Sequence, residues 1–281
     1  MKNWYNLALF TLFAFSIMGA LFLWHLSLVD KRTEIVFLNV GQGDAILISQ
    51  GSSQILIDGG RTGRELLARL GRHVPFWDRT IEFVIATHPD ADHIGGLPAV
   101  LRAYTVNQIL TTGAESATET SRLFQEVTTQ EIGSAPTKIF QGTEIVFPSG
   151  GKLSVEYPVA PLSGVSTADT NQGSVVARFV YGETSFLLTG DLAREETALP
   201  EVGQVNILKV AHHGSKHSTS EAFLRLVKPQ EAIISVGENW YGHPDQSVLK
   251  RLEDAGVRIY RTDEEGDIRY RCFDRRCTYA P

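Results

Sequence analysis

The chain has only two cysteines and two methionines in 281 residues. That excludes a scaffold held by a disulfide framework and a thiolate-based zinc cluster. Positive charge is not in excess. The 26 Lys and Arg stand against 32 Asp and Glu, a net charge of −6, which argues against a strongly basic nucleic-acid coat protein. A bound divalent cation would still reverse the sign locally. There is no low-complexity tract and no repeat of 20–50 residues, so disorder and solenoid folds drop out. No phosphate-binding P-loop, no Ser-His-Asp order and no reactive cysteine setting is present. Long apolar runs are also lacking, with one exception, which excludes a multi-span transporter.

The exception runs from Trp4 to Val29 with no acidic residue, Lys or Arg. As a helix it would reach roughly 39 Å, more than the ~30 Å of a bilayer's hydrocarbon core. It ends in Leu28-Val29-Asp30-Lys31-Arg32, which lacks the small-x-small exit of a cleaved signal. Residues 1–30 therefore read as a single-pass signal anchor, in preference to a cleaved signal or a buried core helix. Residues 31–281 read as the folded domain. Lys2 and the amino terminus favour an inside N-terminus, while Lys31 and Arg32 pull the other way. The expected placement of the domain is outside the cytoplasm. Cys272 and Cys277 would close a small disulfide there or stay as two thiols.

Beyond the anchor, short β-branched and aliphatic runs are predicted as strands at 34–40, 45–49, 54–58 and 81–86. Helical spacing appears at 63–73, 97–104 and 119–129. Short strands follow at 137–157, then a polar loop at 160–173. A hairpin of 174–181 with 184–188 comes next, then a strand at 204–210. Helices at 220–227 and 246–255 alternate with strands at 232–236 and 257–261. The last two strands are expected to pair around Asp263-Glu264-Glu265-Gly266. Strands that meander and then alternate with helices point to a layered α/β fold.

The most informative run is Thr87-His88-Pro89-Asp90-Ala91-Asp92-His93. It sets two imidazoles and two carboxylates within six residues, directly after an apolar strand. Nitrogen and carboxylate donors of this kind bind zinc-like ions. Gathering them at the edge of a core is costly unless a metal or a hydrogen-bond network satisfies them. Asp191 after Gly190, and His212-His213 before Gly214-Ser215, stand at two further strand ends. Asp58, Asp44 and Gln42 read as turn-forming or supporting groups, and His73 has no partner in the sequence.

The order HxDxDH, Gly-Asp, His-His-Gly-Ser resembles the metallo-β-lactamase superfamily. Val40-Gly41-Gln42-Gly43-Asp44-Ala45, Leu56-Ile57-Asp58-Gly59-Gly60, Asn171-Gln172-Gly173-Ser174 and Tyr241-Gly242-His243-Pro244 narrow the likeness. Together they resemble the hydrolase-like domain of the DNA-uptake competence protein ComEC. The resemblance spans about residues 34–270 and implies an αββα four-layer sandwich with metals at the sheet edges. Two departures stand out: a full ComEC protein also carries a polytopic channel region, and Asn39 sits where that family usually has Asp.

The resemblance implies two divalent metal ions, zinc or manganese. His88 and Asp90 would hold the first, with Asp90 where the superfamily commonly has His. Asp92 and His93 would hold the second, Asp191 would bridge both, and His212 or His213 would complete the second site, the one beside Gly214 being favoured. Asn171 and Ser174 stand where many relatives place a further histidine. With Ser215 and His217 they would contact substrate. His243 would contact substrate or simply shape its turn.

Two such ions would supply hydroxide from a water between them, with Asp92 and Asp191 as the catalytic carboxylates. The implied function is a membrane-anchored phosphodiesterase or nuclease acting on single-stranded DNA in DNA uptake. The competing readings are a same-fold hydrolase of a lactone, β-lactam or phosphocholine ester, and a non-catalytic, metal-stabilised DNA-uptake module.

Overall fold

The computed structural model describes residues 2–29, 32–133, 135–148, 150–162 and 169–281. The 163–168 part of the expected polar loop, like Asp30 and Lys31, lies outside the described residues. Helix α1 (Lys2–Val29) comes first. It is the one helix among the described residues long and apolar enough to cross a membrane, and its stretch from Trp4 to Trp24 is unburied.

The first sheet takes β1 (Thr33–Phe37), β2 (Ile46–Gln50), β3 (Ser53–Ile57), β4 (Thr80–Ala86), β5 (Thr105–Thr111) and β6 (Thr137–Lys138). The second takes β7 (Glu144–Val146), β8 (Gly151–Tyr157), β9 (Val176–Tyr181), β10 (Thr184–Leu188), β11 (Ile207–Lys209), β12 (Glu231–Ile234) and β13 (Arg258–Arg261). The chain then returns to the first sheet with β14 (Ile268–Phe273) and β15 (Arg276–Tyr279). Strand orders are β15-β14-β1-β2-β3-β4-β5-β6 and β13-β12-β11-β10-β9-β8-β7. Helices α2 (Gly63–His73), α3 (Ala91–Ile94), α4 (Leu97–Ala103) and α5 (Glu119–Ile132) connect strands of the first sheet. Helices α6 (Glu195–Ala198), α7 (Glu221–Val227) and α8 (Gln246–Asp254) connect strands of the second, and α9 (Thr262–Glu265) marks the return.

Apolar residues on both faces of each sheet make this a four-layer αββα sandwich, as the resemblance implied. Phe37, Ile48, Phe179, Phe186 and Tyr270 fill the space between the sheets. Tyr270 is buried there because its hydroxyl donates to Glu231 Oε2 at 2.6 Å, which satisfies its polar end. Leu66 and Leu70 of α2, Val100 of α4 and Phe124 of α5 cover the outer face of the first sheet. Phe223 of α7 and Val248 and Leu252 of α8 cover the second. Local chemistry agrees with this layering. Thr62 caps α2 by accepting from the Glu65 N–H while its hydroxyl donates to the Glu65 carboxylate at 2.6 Å, a reciprocal N-terminal lock.

Two features depart from the sequence pattern. The strand at 258–261 and the one after Gly266 do not pair with each other. β13 pairs with β12, whereas β14 pairs with β1 and β15. The acidic run between them forms α9, which carries the chain from one sheet to the other. β5 is a strand that alternation does not announce, since Asn107 and Gln108 interrupt it. It forms because Val106 and Ile109 are buried on the helix-covered face and Leu110 between the sheets, beside β4. Cys272 and Cys277 face each other across the β14–β15 hairpin and form a disulfide.

Candidate metal centre

Parallel strands β3 and β4 of one sheet and β10 and β11 of the other deliver their C-terminal ends to one place. Asp58 follows β3, His88 follows β4, Asp191 follows β10, and His213 follows β11 through the short turn Ala211–Gly214. Loop 38–45 closes against α3, where the Asp44 N–H donates to Asp92 O. Gly43 is required there: its φ is +131°, and a Cβ would lie 2.1 Å from Asp92 O.

Three buried imidazoles surround Asp191. His93 Nε2 is 3.2 Å and His213 Nε2 3.3 Å from Asp191 Oδ2. The His88 and His93 rings are 4.0 Å apart. Each ring is fixed through its other nitrogen. His93 Nδ1 contacts Asp58 Oδ2 at 2.8 Å, His213 Nδ1 donates to Ser235 O at 2.9 Å, and His88 Nδ1 lies 3.0 Å from Thr87 Oγ1. Nε2 of all three, and Asp191 Oδ1, are buried without a directed hydrogen bond. Donors held on one side and unmatched on the other are what a divalent cation requires, since supporting contacts fix the tautomer and aim the free nitrogen. Ligand atoms lie within 4.8 Å of one another in three groups: His88-His93-Asp191, Asp92-His93-His213 and Asp44-Asp58-His93. The third group is already neutralised, because Lys209 Nζ sits on Asp44 and Asp58 is engaged by His93 and Thr87.

The electrostatics follow from burial and these neighbours. Burial, then the charge of His93, drives His88 well below the usual histidine range, so it is a neutral imidazole. Burial would do the same to His93, but the Asp191 and Asp58 carboxylates outweigh it and raise the ring well above that range. Burial alone would raise Asp191, yet His213 and His93 hold it well below the usual carboxylate range.

The other expected site residues distribute as follows. Asp92 is partly exposed, with Oδ2 3.6 Å from His213 Nε2 and 4.0 Å from the Arg61 guanidinium. Asp90 Oδ2 lies 3.7 Å from His88 Nε2, while Thr170 Oγ1 donates to Oδ1 at 2.5 Å. His212 lies outside all three groups and is turned toward His243, ring to ring at 5.4 Å. Ser174 is fully enclosed. Its hydroxyl accepts from the Asp191 N–H at 3.1 Å and lies 3.3 Å from His88 Nδ1. Ser174 thus braces two residues of the cluster. Ser215 is also buried, accepting from the His217 N–H at 3.5 Å, whereas His217 is exposed. Asn171 is half-buried beside the Asp169 cap, its Oδ1 unpaired. His73, seemingly partnerless, meets Asp267 at 2.9 Å.

Sequence reasoning missed Lys209. Its Nζ is wholly buried, donates to Gly190 O at 2.9 Å and lies 3.7 Å from Asp191 Oδ1. The available signal was a lone charge between Leu208 and Val210 in an apolar run.

A family model described as the metallo-beta-lactamase superfamily matches residues 38–238. ComE operon protein 3 of Bacillus subtilis (strain 168) is 31% identical over 276 residues, which cover 90% of this chain and 34% of that protein. Competence protein ComA of Neisseria gonorrhoeae is 28% identical over 251 residues, covering 86% of this chain and 32% of that protein. The chain thus spans about a third of the length of these curated relatives. Among solved structures, the metallo-beta-lactamase fold protein YhfI from Bacillus subtilis superposes with a TM-score of 0.58 at 13% identity. It covers 86% of this chain and 100% of YhfI.

Proposed function

The chain belongs to the metallo-β-lactamase superfamily and is a metal-dependent hydrolase, and from that premise we propose that it cleaves phosphodiesters, with single-stranded DNA as the substrate, in a DNA-uptake setting. Helix α1 would hold it at the membrane as a single-pass anchor, residues 31–281 forming the hydrolase domain outside the cytoplasm. The Cys272–Cys277 disulfide supports an oxidising compartment. Likeness to a competence protein supports the DNA-uptake setting.

The observation that carries the reading is a cluster of three unmatched Nε2 atoms, two of them on Asp191 Oδ2 and the third from His88, whose donor group lies within 4.8 Å of those of His93 and Asp191. In this reading His88 and Asp90 would hold one divalent cation, and Asp92, His93 and His213 a second, with Asp191 a ligand in the same cluster and His212 at its mouth. Zinc or manganese suits so mixed a set of imidazole and carboxylate donors. Cations held there would supply an acidified water and charge neutralisation at phosphoryl oxygens. Asp92, partly reached by solvent, would orient that water as well as help to hold the cation. The Arg61 guanidinium beside it draws a phosphate oxygen toward the cluster. Asp58, Ser235 O and Thr87 keep the imidazoles aimed, and Lys209 holds Asp44 and the β10 end in place from beneath.

The test uses the full chain in detergent, with metal content read by elemental analysis. Labelled single-stranded DNA and bis(p-nitrophenyl) phosphate are incubated with manganese or zinc. Cleavage of both is expected, lost on chelation and in Asp92→Ala. If neither substrate is cut with either metal, the phosphodiesterase reading is wrong.

A further inference from the structure

Trp240 and Tyr241 lie in the connection between β12 and α8, and they are 94% and 62% exposed. An indole left in water forfeits the stabilisation of burial, so a reason is needed for its place. The turn is not loose. The Asn239 side chain braces it with four hydrogen bonds: Nδ2 donates to Gly237 O and His243 O, both at 2.8 Å. Oδ1 accepts from the Tyr241 N–H at 3.1 Å and the His243 N–H at 3.0 Å. The two rings are therefore presented outward by a fastened backbone.

Ring contacts lead from this pair to the metal cluster. Tyr241 stacks on His243 with centroids 5.8 Å apart and an interplanar angle of 28°. His243 meets His212 at 5.4 Å, and His212 meets His213 at 6.2 Å. A groove of about 330 Å³ runs beside the rings, lined by Gln42, Arg61, Glu65, Glu238, Trp240 and Tyr241 among others. Its cation, Arg61, is the residue that reaches toward Asp92. Its acids, Glu65 and Glu238, disfavour a phosphate directly over the groove but not an uncharged ring.

We propose that Trp240 and Tyr241 form a stacking platform for the bases of a single-stranded nucleic acid, with Arg61 taking the neighbouring phosphate at the mouth of the metal cluster. The proposal rests on the phosphodiesterase reading and sharpens it. Base faces are open in a single strand and hidden in a duplex, and aromatic side chains grip them regardless of sequence.

The test is equilibrium binding of the full chain in detergent, with chelator present so that nothing is cut. The probes are fluorescent oligothymidylate and an abasic strand of equal length with the same phosphates. The parent is expected to bind oligothymidylate more tightly than the abasic strand. Trp240→Ala and Tyr241→Ala should each weaken oligothymidylate binding about 5- to 100-fold and leave the abasic strand unchanged. Trp240→Phe should restore most of the affinity. Equal affinity of the parent for both strands, absence of binding to either, or equal loss on both in the alanine variants would overturn the platform. Hydrolysis of bis(p-nitrophenyl) phosphate by the parent separates the two claims. If it is cut while base preference is missing, the platform alone falls. If it is not cut while the preference and its loss are both seen, the platform stands and the hydrolytic reading falls.

Discussion

Lys209 and Asp44 meet as a buried ion pair directly beneath the imidazole cluster, the ammonium of one strand end resting on the carboxylate of the loop opposite. Neither residue is more than 2% exposed. The pair ties the loop of residues 38–45, from the first sheet, to β11 of the second. Burial alone would lower Lys209, but Asp44 and Asp191 more than compensate and raise it, so the buried ammonium keeps its charge.

Removing one partner strands the other. Lys209→Met leaves the buried Asp44 carboxyl without its ammonium partner, and is expected to cost about 3–5 kcal/mol of stability. Lys209→Met combined with Asp44→Asn should recover much of that loss. Denaturant unfolding of both variants checks this. Equal destabilisation in the single and double variants would show that the pair does not couple the sheets.

Asp58 acts through His93. Its Oδ2 lies 2.8 Å from Nδ1 and its carboxylate also accepts from Thr87 N–H and Oγ1–H. Asp58→Asn is expected to weaken metal binding about 10- to 100-fold while the fold persists. Metal titration followed by circular dichroism reads both quantities. Undiminished affinity would remove Asp58 from the support of the site.

The two adjacent histidines should separate cleanly. His213→Ala is expected to lower the metal retained after dialysis, because Nε2 lies within reach of Asp92 and Asp191. His212→Ala should retain metal like the parent, since its ring is turned to His243. Elemental analysis of the dialysed proteins decides, and equal losses would contradict the assignment.

Glu195 provides a pH test away from the cluster. Burial pushes it up from 4.5 to about 7, although the Thr219 N–H donates to both carboxylate oxygens, at 2.8 and 3.1 Å. The folded state therefore holds this proton more tightly than the unfolded chain. Its contribution is full below about 4.5 and is lost as pH rises through about 7. Glu195→Gln removes that dependence. Parent stability should fall relative to the variant by on the order of 3 kcal/mol across this window. Parallel stability profiles would refute the shift.

Much of this molecule was legible because its chemistry is written in short local runs. His88, Asp90, Asp92 and His93 fall within six residues after an apolar strand, and their types alone indicate metal binding. The alternation of apolar runs with glycine punctuation gave most strands and helices. Other features need partners far away in the chain. Ser174 reads as a loop serine until Asp191 and His88 are placed on its hydroxyl. The pairing of β14 with β1 joins residues more than 230 positions apart, and no local pattern records it. Lys209 looks like an interruption in a strand.

The sequence by itself determined the donor types, their order along the chain, the apolar faces that build two sheets, and the long apolar segment ahead of them. Tertiary structure decided which nitrogen of each histidine is free, which of the adjacent pair turns inward, and that a lysine lies under the carboxylates. The reason is that donor identity is a property of a residue. Aim, burial and charge compensation are properties of neighbours that meet only when the two sheets pack.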